Sequence, residues 1–294
     1  MTTPLRTALD QLFLLPLRVL PQHALSRVVH FLTRREGWVG RILISLFLRS
    51  YRVALAEAQQ PDPRQYTSFN AFFTRALRSD ARRWPSSPRQ PGSPVDGAVS
   101  AHGPIEQGQI FQAKGHTYSL HSLLGGNEGH AALFQRGHFL TLYLSPRDYH
   151  RIHMPMPGTL TEVIHVPGRL YPVNRPAVRS LPGVFARNER VVCLFESELG
   201  PFAMILVGAL FVGSIELESW GEVTPPAGRS VQALDLSGSP LNQRTYARGE
   251  ELGRFNMGST VILLTGAQGP RARKSLRTDQ PVRLGEELFE WIFD

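Results

Sequence analysis

The chain has 294 residues, of which 42% are hydrophobic and 19% charged. That balance describes a globular protein and excludes a disordered one, and the length suits one large domain or two small ones. The formal charge is +8, carried almost wholly by Arg, with lysine only at Lys114 and Lys274. A basic excess points to an anionic partner, although a GC-rich coding sequence gives the same bias. Arg is spread along the chain without the dense basic run of a nucleic-acid arm, so no nucleic-acid partner is expected.

The single cysteine, Cys193, sits in the apolar run Val191 to Phe195 and reads as a core residue. It permits no intrachain disulfide, which fits a reducing compartment, and it excludes a cysteine zinc cluster.

The first sixty residues read as short apolar helices, around Leu12 to Leu17, over Ala24 to Thr33 and over Trp38 to Ala56. The uncharged stretch between Arg41 and Arg49 is far shorter than the roughly 20 residues of a membrane span. The small-residue cleavage site of a secretory signal is missing from the first segment. Short apolar helices edged by Arg and carrying Trp38 suit a membrane interface. Packing on the domain core is the other reading, and both stand at this point.

Glu57 to Pro63 punctuates the chain. Ser68 to Leu77 predicts a further amphipathic helix with Ser68 as N-cap. Arg82 to Pro94, rich in Pro and Ser, reads as a connector. From Val95 the pattern changes to short apolar runs between Gly and Pro. They cover Val95–Ala101, His138–Leu144, Thr159–Val166, Arg190–Phe195, Phe202–Val207, Leu210–Leu217, Thr260–Leu264 and Val282–Phe293. These are strand lengths with β-branched and aromatic enrichment. Long helices between them are lacking, which disfavours a parallel α/β sheet. The expected fold class is α+β: a helical region over residues 1–60, then a β-rich domain of mostly antiparallel strands over 61–294.

Three stretches carry candidate chemistry. Gly258-Ser259-Thr260 opens the apolar run Val261 to Leu264. Glycine there allows a tight backbone, and Ser259 can present its Oγ close to the preceding carbonyl, a geometry suited to attack on its own peptide bond. Asp96-Gly97 puts an acid beside a glycine at a strand start, although Asp-Gly is commonly just a turn. Ser145 to Pro155 holds His150 and His153. On a helix the two would share a face, and on an extended segment they would diverge. A metal reading lacks both a third ligand and the intervening glutamate of a metal hydrolase. A general base for a serine is the alternative, because imidazole titrates near neutrality. Asp, His and Ser in that order suit a charge relay, but no Gly-x-Ser-x-Gly elbow surrounds Ser259.

Ser-Pro-Arg-Asp-Tyr-His-Arg-Ile-His-Met-Pro (145–155), together with Gly-Arg-Phe-Asn-Met-Gly-Ser-Thr (253–260), strongly resembles the pyruvoyl-dependent phosphatidylserine decarboxylases of bacteria. Pro94 to Gly97, Gln112 to Leu120, Phe185 to Arg190, Ile205 to Ala209 and Val212 to Glu216 agree with that family. The likeness runs from the third N-terminal helix to Leu264. Met257 stands where the family commonly has Leu, and Arg229 to Gln243 matches less well.

The resemblance implies a proenzyme that cuts itself between Gly258 and Ser259, giving a β chain 1–258 and an α chain from 259. The family's relay set falls on Asp96, His153 and Ser259, with His153 deprotonating Ser259 Oγ and Asp96 orienting the imidazole. Ser259 would become a covalent pyruvoyl group, the one cofactor implied. That group would form a Schiff base with the lipid amine and act as the electron sink for decarboxylation to phosphatidylethanolamine. His150 is expected to return the proton, and the roles of the two histidines overlap on this reading. Arg147, Arg151 and Lys114 are candidate headgroup residues by charge alone. The implied partners are phosphatidylserine in an anionic membrane and the chain's own two fragments as a heterodimer. The implied location is peripheral, on the cytoplasmic side of the cell membrane. A serine hydrolase that leaves Ser259 intact, and a β-rich membrane-binding module with structural histidines, are the readings this one competes with.

Overall fold

The computed structural model describes residues 21–290 apart from 88, 212, 213 and 225–229. The expected helix around Leu12 to Leu17 lies outside them. Three helices come first: α1 (Gln22–Thr33), α2 (Trp38–Ser50) and α3 (Phe69–Phe73). Ser68 caps α3 as expected, its side chain accepting from the Ala71 amide at 3.1 Å. The helix predicted to reach Leu77 stops at Phe73 instead. Its aromatic residues turn inward as one short block, and Arg75 beyond them bonds to loop carbonyls elsewhere in the chain.

The strands follow in chain order: β1 (Gly97–Pro104), β2 (Gln109–Ala113), β3 (His116–Ser119), β4 (His138–Tyr143), β5 (Arg151–His153), β6 (Gly158–Val166), β7 (Arg190–Glu196), β8 (Phe202–Val207), β9 (Ile215–Leu217), β10 (Gly221–Glu222), β11 (Gln232–Ala233), β12 (Thr245–Tyr246), β13 (Glu251–Phe255), β14 (Thr260–Thr265), β15 (Arg271–Ala272), β16 (Pro281–Val282) and β17 (Phe289–Glu290). Short helices α4 (Leu120–Leu123), α5 (Glu128–Phe134), α6 (Arg175–Ser180) and α7 (Val184–Arg187) fill the connections.

The main sheet runs β11-β6-β7-β8-β14-β4-β1-β16, with β12 also on β6. A smaller sheet runs β10-β9-β13-β5. Every strand pairing is antiparallel. The α+β expectation, helices followed by antiparallel β structure, is what the chain adopts. All residues of β8 and β14 are buried, so these strands are covered on both faces and read as continuous apolar runs. Cys193 lies buried in β7, where burial pushes its thiol pKa up to about 12. Two predicted strands come out shorter. Within Leu210–Leu217 the strand is only β9, and Val282–Phe293 breaks into β16 and β17 around a turn. There, Glu286 accepts from the Arg283 amide through its side chain and donates to the Arg283 carbonyl through its backbone.

The helices meet the sheets in two different ways. α2 packs through Ile44 and Phe47 on α3, with the Phe47 ring edge-on to Phe69, Phe72 and Phe73 at 5.3–6.0 Å. This cluster crosses residue 60, where the sequence places a boundary, and it reaches Met257. α1 is held by polar contacts. Gln22 Oε1 accepts from the Leu170 amide, Ser26 Oγ from the Phe211 amide, and Arg34 and His30 reach Glu222. No helix among the described residues is long and apolar enough to cross a membrane.

In a Ser259→Ala background, which keeps one chain, Leu206→Ala in β8 should lower stability by about 2–5 kcal/mol. Urea unfolding followed by circular dichroism measures it, and a loss under 1 kcal/mol would show that β8 is not core.

Candidate active site

Ser259 sits one residue before β14, between β8 and β4. The register sets Thr260 opposite Val207 on one side and Tyr143 on the other. Ser259 is fully buried. Its Oγ donates to the Val207 carbonyl, and its own carbonyl accepts from the Leu144 amide at 2.8 Å. The central sheet thus fixes the downstream side of the Gly258–Ser259 bond through main-chain groups.

The upstream side is fixed by Asn256. Its amide donates to the Ser214 carbonyl at 3.1 Å. Asn70 Nδ2, from α3, donates to both the Asn256 carbonyl and its Oδ1, at 3.2 and 3.1 Å. Asn256 Nδ2 donates to Ser214 Oγ. Gly258, between these anchors, lies against His150. A Cβ there would stand 2.8 Å from His150 Cε1 and 3.2 Å from the Leu144 carbonyl. Its φ is not in the left-handed region. Lack of space for a side chain, rather than the backbone freedom inferred from sequence, is what requires glycine here.

His150 and His153 stand on extended chain at the entry and the end of β5, so their odd spacing sends them to different surroundings. His150 is fully buried, and its ring stacks on Phe73 at 4.0 Å and 9°. Its Nε2 donates to the Pro146 carbonyl at 3.3 Å, and its Nδ1 has no hydrogen-bond partner among the described residues. Burial, then the nearby Arg75 charge, push its pKa down to about 3. It is a neutral imidazole whose Cε1–Nε2 edge faces residue 258 and whose Nδ1 lone pair is unoccupied among the described residues.

His153 Nδ1 lies 2.7 Å from the Gly249 carbonyl. A carbonyl only accepts, so the proton is on Nδ1 and the Nε2 lone pair accepts from the Tyr149 hydroxyl at 2.9 Å. Burial lowers the His153 pKa as well, while the Gly249 carbonyl, Glu251 and Asp96 oppose the shift. Asp96 is held by Arg82, with Nε to Oδ1 at 2.9 Å and Nη2 to Oδ2, and by the Leu284 amide at 2.7 Å. The structure therefore brings His150 against Gly258 and sets Asp96 within electrostatic reach of His153. It does not join Asp96, His153 and Ser259 by hydrogen bonds in the uncut chain.

A cavity of about 1010 Å³ opens beside this centre. Tyr143 and Ser145, which flank Leu144, line it with Asp96 and Tyr149, whereas His150, His153, Gly258 and Ser259 do not. Lys114 and Arg147 line it, as their charge suggested. Arg151 does not, because Glu251 at 2.9 Å and the Thr74 carbonyl at 2.9 Å hold it elsewhere. Sequence reasoning also passed over Asn70, Phe73, Arg75 and Tyr149. Phe72-Phe73-Thr74-Arg75 sets a cation two residues after an aromatic pair, which is no motif and does not tell that the pair faces a histidine.

A buried serine behind a glycine, at the head of a central antiparallel strand and with the neutral His150 packed against that glycine, marks a class of candidate catalytic centre. Family comparison narrows the class. A family model described as phosphatidylserine decarboxylase matches residues 69–290, and a second, described as PSD, matches residues 12–52. The chain is 52% identical over 263 residues to a phosphatidylserine decarboxylase proenzyme of Alkalilimnicola ehrlichii, covering 89% of this chain and 91% of that protein. It is 50% identical over 280 residues to the same-named protein of Azotobacter vinelandii, covering 95% and 98%. A Shewanella frigidimarina protein of that name is 48% identical over 271 residues, covering 90% and 94%. The chain belongs to the phosphatidylserine decarboxylase family and is an enzyme of the decarboxylase type.

The depressed His150 pKa sets a pH dependence. A free imidazole titrates at roughly 6.5, so the unfolded chain takes up this proton before the folded chain does. Stability is then full above that value and falls with pH down to about 3. His150 alone gives a slope approaching 1.4 kcal/mol per pH unit, to order of magnitude. In the Ser259→Ala background, His150→Gln should flatten the acid limb between roughly pH 6 and 4, read by urea midpoints at each pH. An unchanged limb would show that His150 titrates normally.

Proposed function

We propose that the chain decarboxylates phosphatidylserine to phosphatidylethanolamine after cutting itself between Gly258 and Ser259, with Ser259 left as a covalent pyruvoyl group. The observation that carries this reading is the Gly258–Ser259 peptide itself. It is anchored on both sides, fully buried at the serine, and pressed against a neutral histidine.

Ser259 Oγ is the nucleophile, and Asp96 with His153 forms the carboxylate–imidazole pair that takes its proton. In the uncut chain the Tyr149 hydroxyl occupies His153 Nε2, and Ser259 Oγ donates a hydrogen bond to the Val207 carbonyl. Cleavage begins when both exchange partners. Attack of Oγ on the Gly258 carbonyl converts the amide to an ester. Elimination then breaks the ester Cβ–O bond, leaving Gly258 as a carboxylate, and water releases ammonia from residue 259.

The surroundings fit a pyruvoyl group at 259. The residue-259 carbonyl is already held by the Leu144 amide, the position is dry, and Thr260 Oγ1 is buried without a partner beside it. Such a group supplies a ketone that condenses with the substrate amine and accepts the electron pair left by carbon dioxide. On this reading His150, neutral with a free Nδ1 lone pair, holds and returns the proton at the substrate α-carbon. Lys114 and Arg147 give the cavity positive charge for the anionic headgroup.

α1 and α2 form the membrane-facing part, peripheral and, by the basic balance, on the cytoplasmic leaflet. The buried residues of α1 are polar (Gln22, Ser26 and Thr33), while Val28, Phe31 and Leu32 face outward. On α2, Trp38, Ile42 and Leu46 repeat every four residues along one exposed face, with Trp38 72% exposed. An apolar surface of this kind marks an interaction site.

Assayed on detergent-dispersed phosphatidylserine, the wild type should release carbon dioxide and Ser259→Ala should release none. His153→Ala should accumulate uncut chain. His150→Ala should lose about 10²–10⁴-fold in turnover per cut molecule. An uncut, active wild type would sink the reading in favour of a hydrolase-like serine. Replacing Trp38, Ile42 and Leu46 together by Glu should abolish cosedimentation with anionic vesicles while sparing turnover on dispersed lipid. Unchanged sedimentation would remove the helices from the membrane role.

A further inference from the structure

Arg75 follows α3 and is only 4% exposed, yet it pairs with no carboxylate. Its Nη2 donates to the carbonyls of Arg147 and Asp148, both at 3.2 Å. Its Nε and Nη1 are buried without hydrogen-bond partners, and no acidic group among the described residues lies within salt-bridge distance. The Phe72 ring lies 5.7 Å from the guanidinium carbon. Three other arginines around the cavity do have carboxylate partners: Arg82 has Asp96 and Glu57, Arg175 has Asp279, and Arg283 has Glu57. A buried guanidinium with two idle donors is costly. Asp96 and Asp148 act on its charge through space without a direct contact, and burial outweighs them to depress its pKa.

The position of Arg75 gives that charge a use. It lines the cavity beside Tyr143 and Ser145. It also acts electrostatically on His150, whose ring touches the Gly258 position, and Phe73, two residues before it, is stacked on that same ring. We propose that Arg75 is the oxyanion-binding residue of this site, its idle Nε and Nη1 groups donating to anionic oxygens of a carboxylate or phosphodiester. The Nε and Nη1 N–H bonds point to different sides of the guanidinium, so each takes its own oxygen, and an ammonium does not offer donors fixed in this way. Two sources can supply the oxyanion, and both rest on the proposed reaction. One is the lipid headgroup entering the cavity. The other is the Gly258 carboxylate, which elimination creates inside the protein when the Cβ–O electron pair goes to the former ester oxygen.

The test uses the full chain with Arg75→Met and Arg75→Lys. Two readouts are followed: cutting, by denaturing mass spectrometry with and without hydroxylamine, and KM and kcat on detergent-dispersed short-chain phosphatidylserine, per cut molecule. If the headgroup is the ligand, Arg75→Met cuts at the wild-type pace and KM rises about tenfold or more with kcat nearly unchanged. If the Gly258 carboxylate is the ligand, cutting slows about tenfold or more. An ester-linked chain that hydroxylamine splits at residue 258 then accumulates, while KM of the cut fraction stays as in wild type. Arg75→Lys should show the same defect at about threefold or more, because a single ammonium cannot reproduce donors fixed on two sides of a guanidinium while still bonding the 147 and 148 carbonyls. It carries the test if Arg75→Met does not fold. Unchanged cutting and unchanged KM in Arg75→Lys, or a fall in melting temperature alone, would reduce Arg75 to a pin for the 147–148 loop and overturn the proposal. A wild type that neither cuts nor decarboxylates would instead fail the functional reading beneath it.

Discussion

The stack of His150 between Phe73 and Gly258 is the contact on which the site depends. Phe73 lies flat on one face of the imidazole, and the ring edge leaves no room for a Cβ at residue 258. Phe73 is itself held by Phe47 of α2. An unbroken row of aromatic contacts therefore runs from the helix with the exposed apolar face to the peptide bond proposed to be cut. Interiors packed at this density transmit displacement rather than absorb it. The same stack keeps His150 dry, and dryness holds the imidazole neutral through the physiological range.

The two sheets divide the remaining work. β14, between β8 and β4, gives residue 259 a rigid main-chain frame, while β13 delivers residue 256 to a separate clamp made by Asn70 and Ser214. The Gly258–Ser259 peptide lies where one sheet hands the chain to the other. Its ends are fixed independently, so two new termini created there would start from anchored positions. Arg82, shared by Asp96 and Glu57, ties the segment after the helices to the carboxylate of the proposed relay. α1 inverts the usual arrangement, polar toward the protein and apolar outward. A face so exposed is costly in water and is explained by a second apolar medium.

Much of this was legible from sequence where one force dominates. Phe202–Val207 and Thr260–Leu264 are apolar on both faces and β-branched or long-chained, and they became central strands with nearly the expected bounds. Ser68 capped its helix because hydroxyl capping is local. Long-range features were not legible. The spacing of His150 and His153 was noted, but the extended backbone that separates their environments comes from β5 pairing with β13, a hundred residues on. Arg151 was read as a headgroup residue by charge, and Glu251 on that same partner strand claims it. Gly258 was read for backbone freedom, whereas a distant ring explains it. Arg75 carried no motif. Its interest arises only from burial and missing partners, which no local pattern encodes.

The central claim is that the chain makes its own reacting group at residue 259. The intact mass of the purified protein under denaturing conditions, with Ser259→Ala beside it, tests this most directly. The account predicts two fragments meeting between Gly258 and Ser259, the smaller lighter than its serine-ended form by one ammonia, and a single chain in the variant. One uncut chain in active wild-type protein would contradict it.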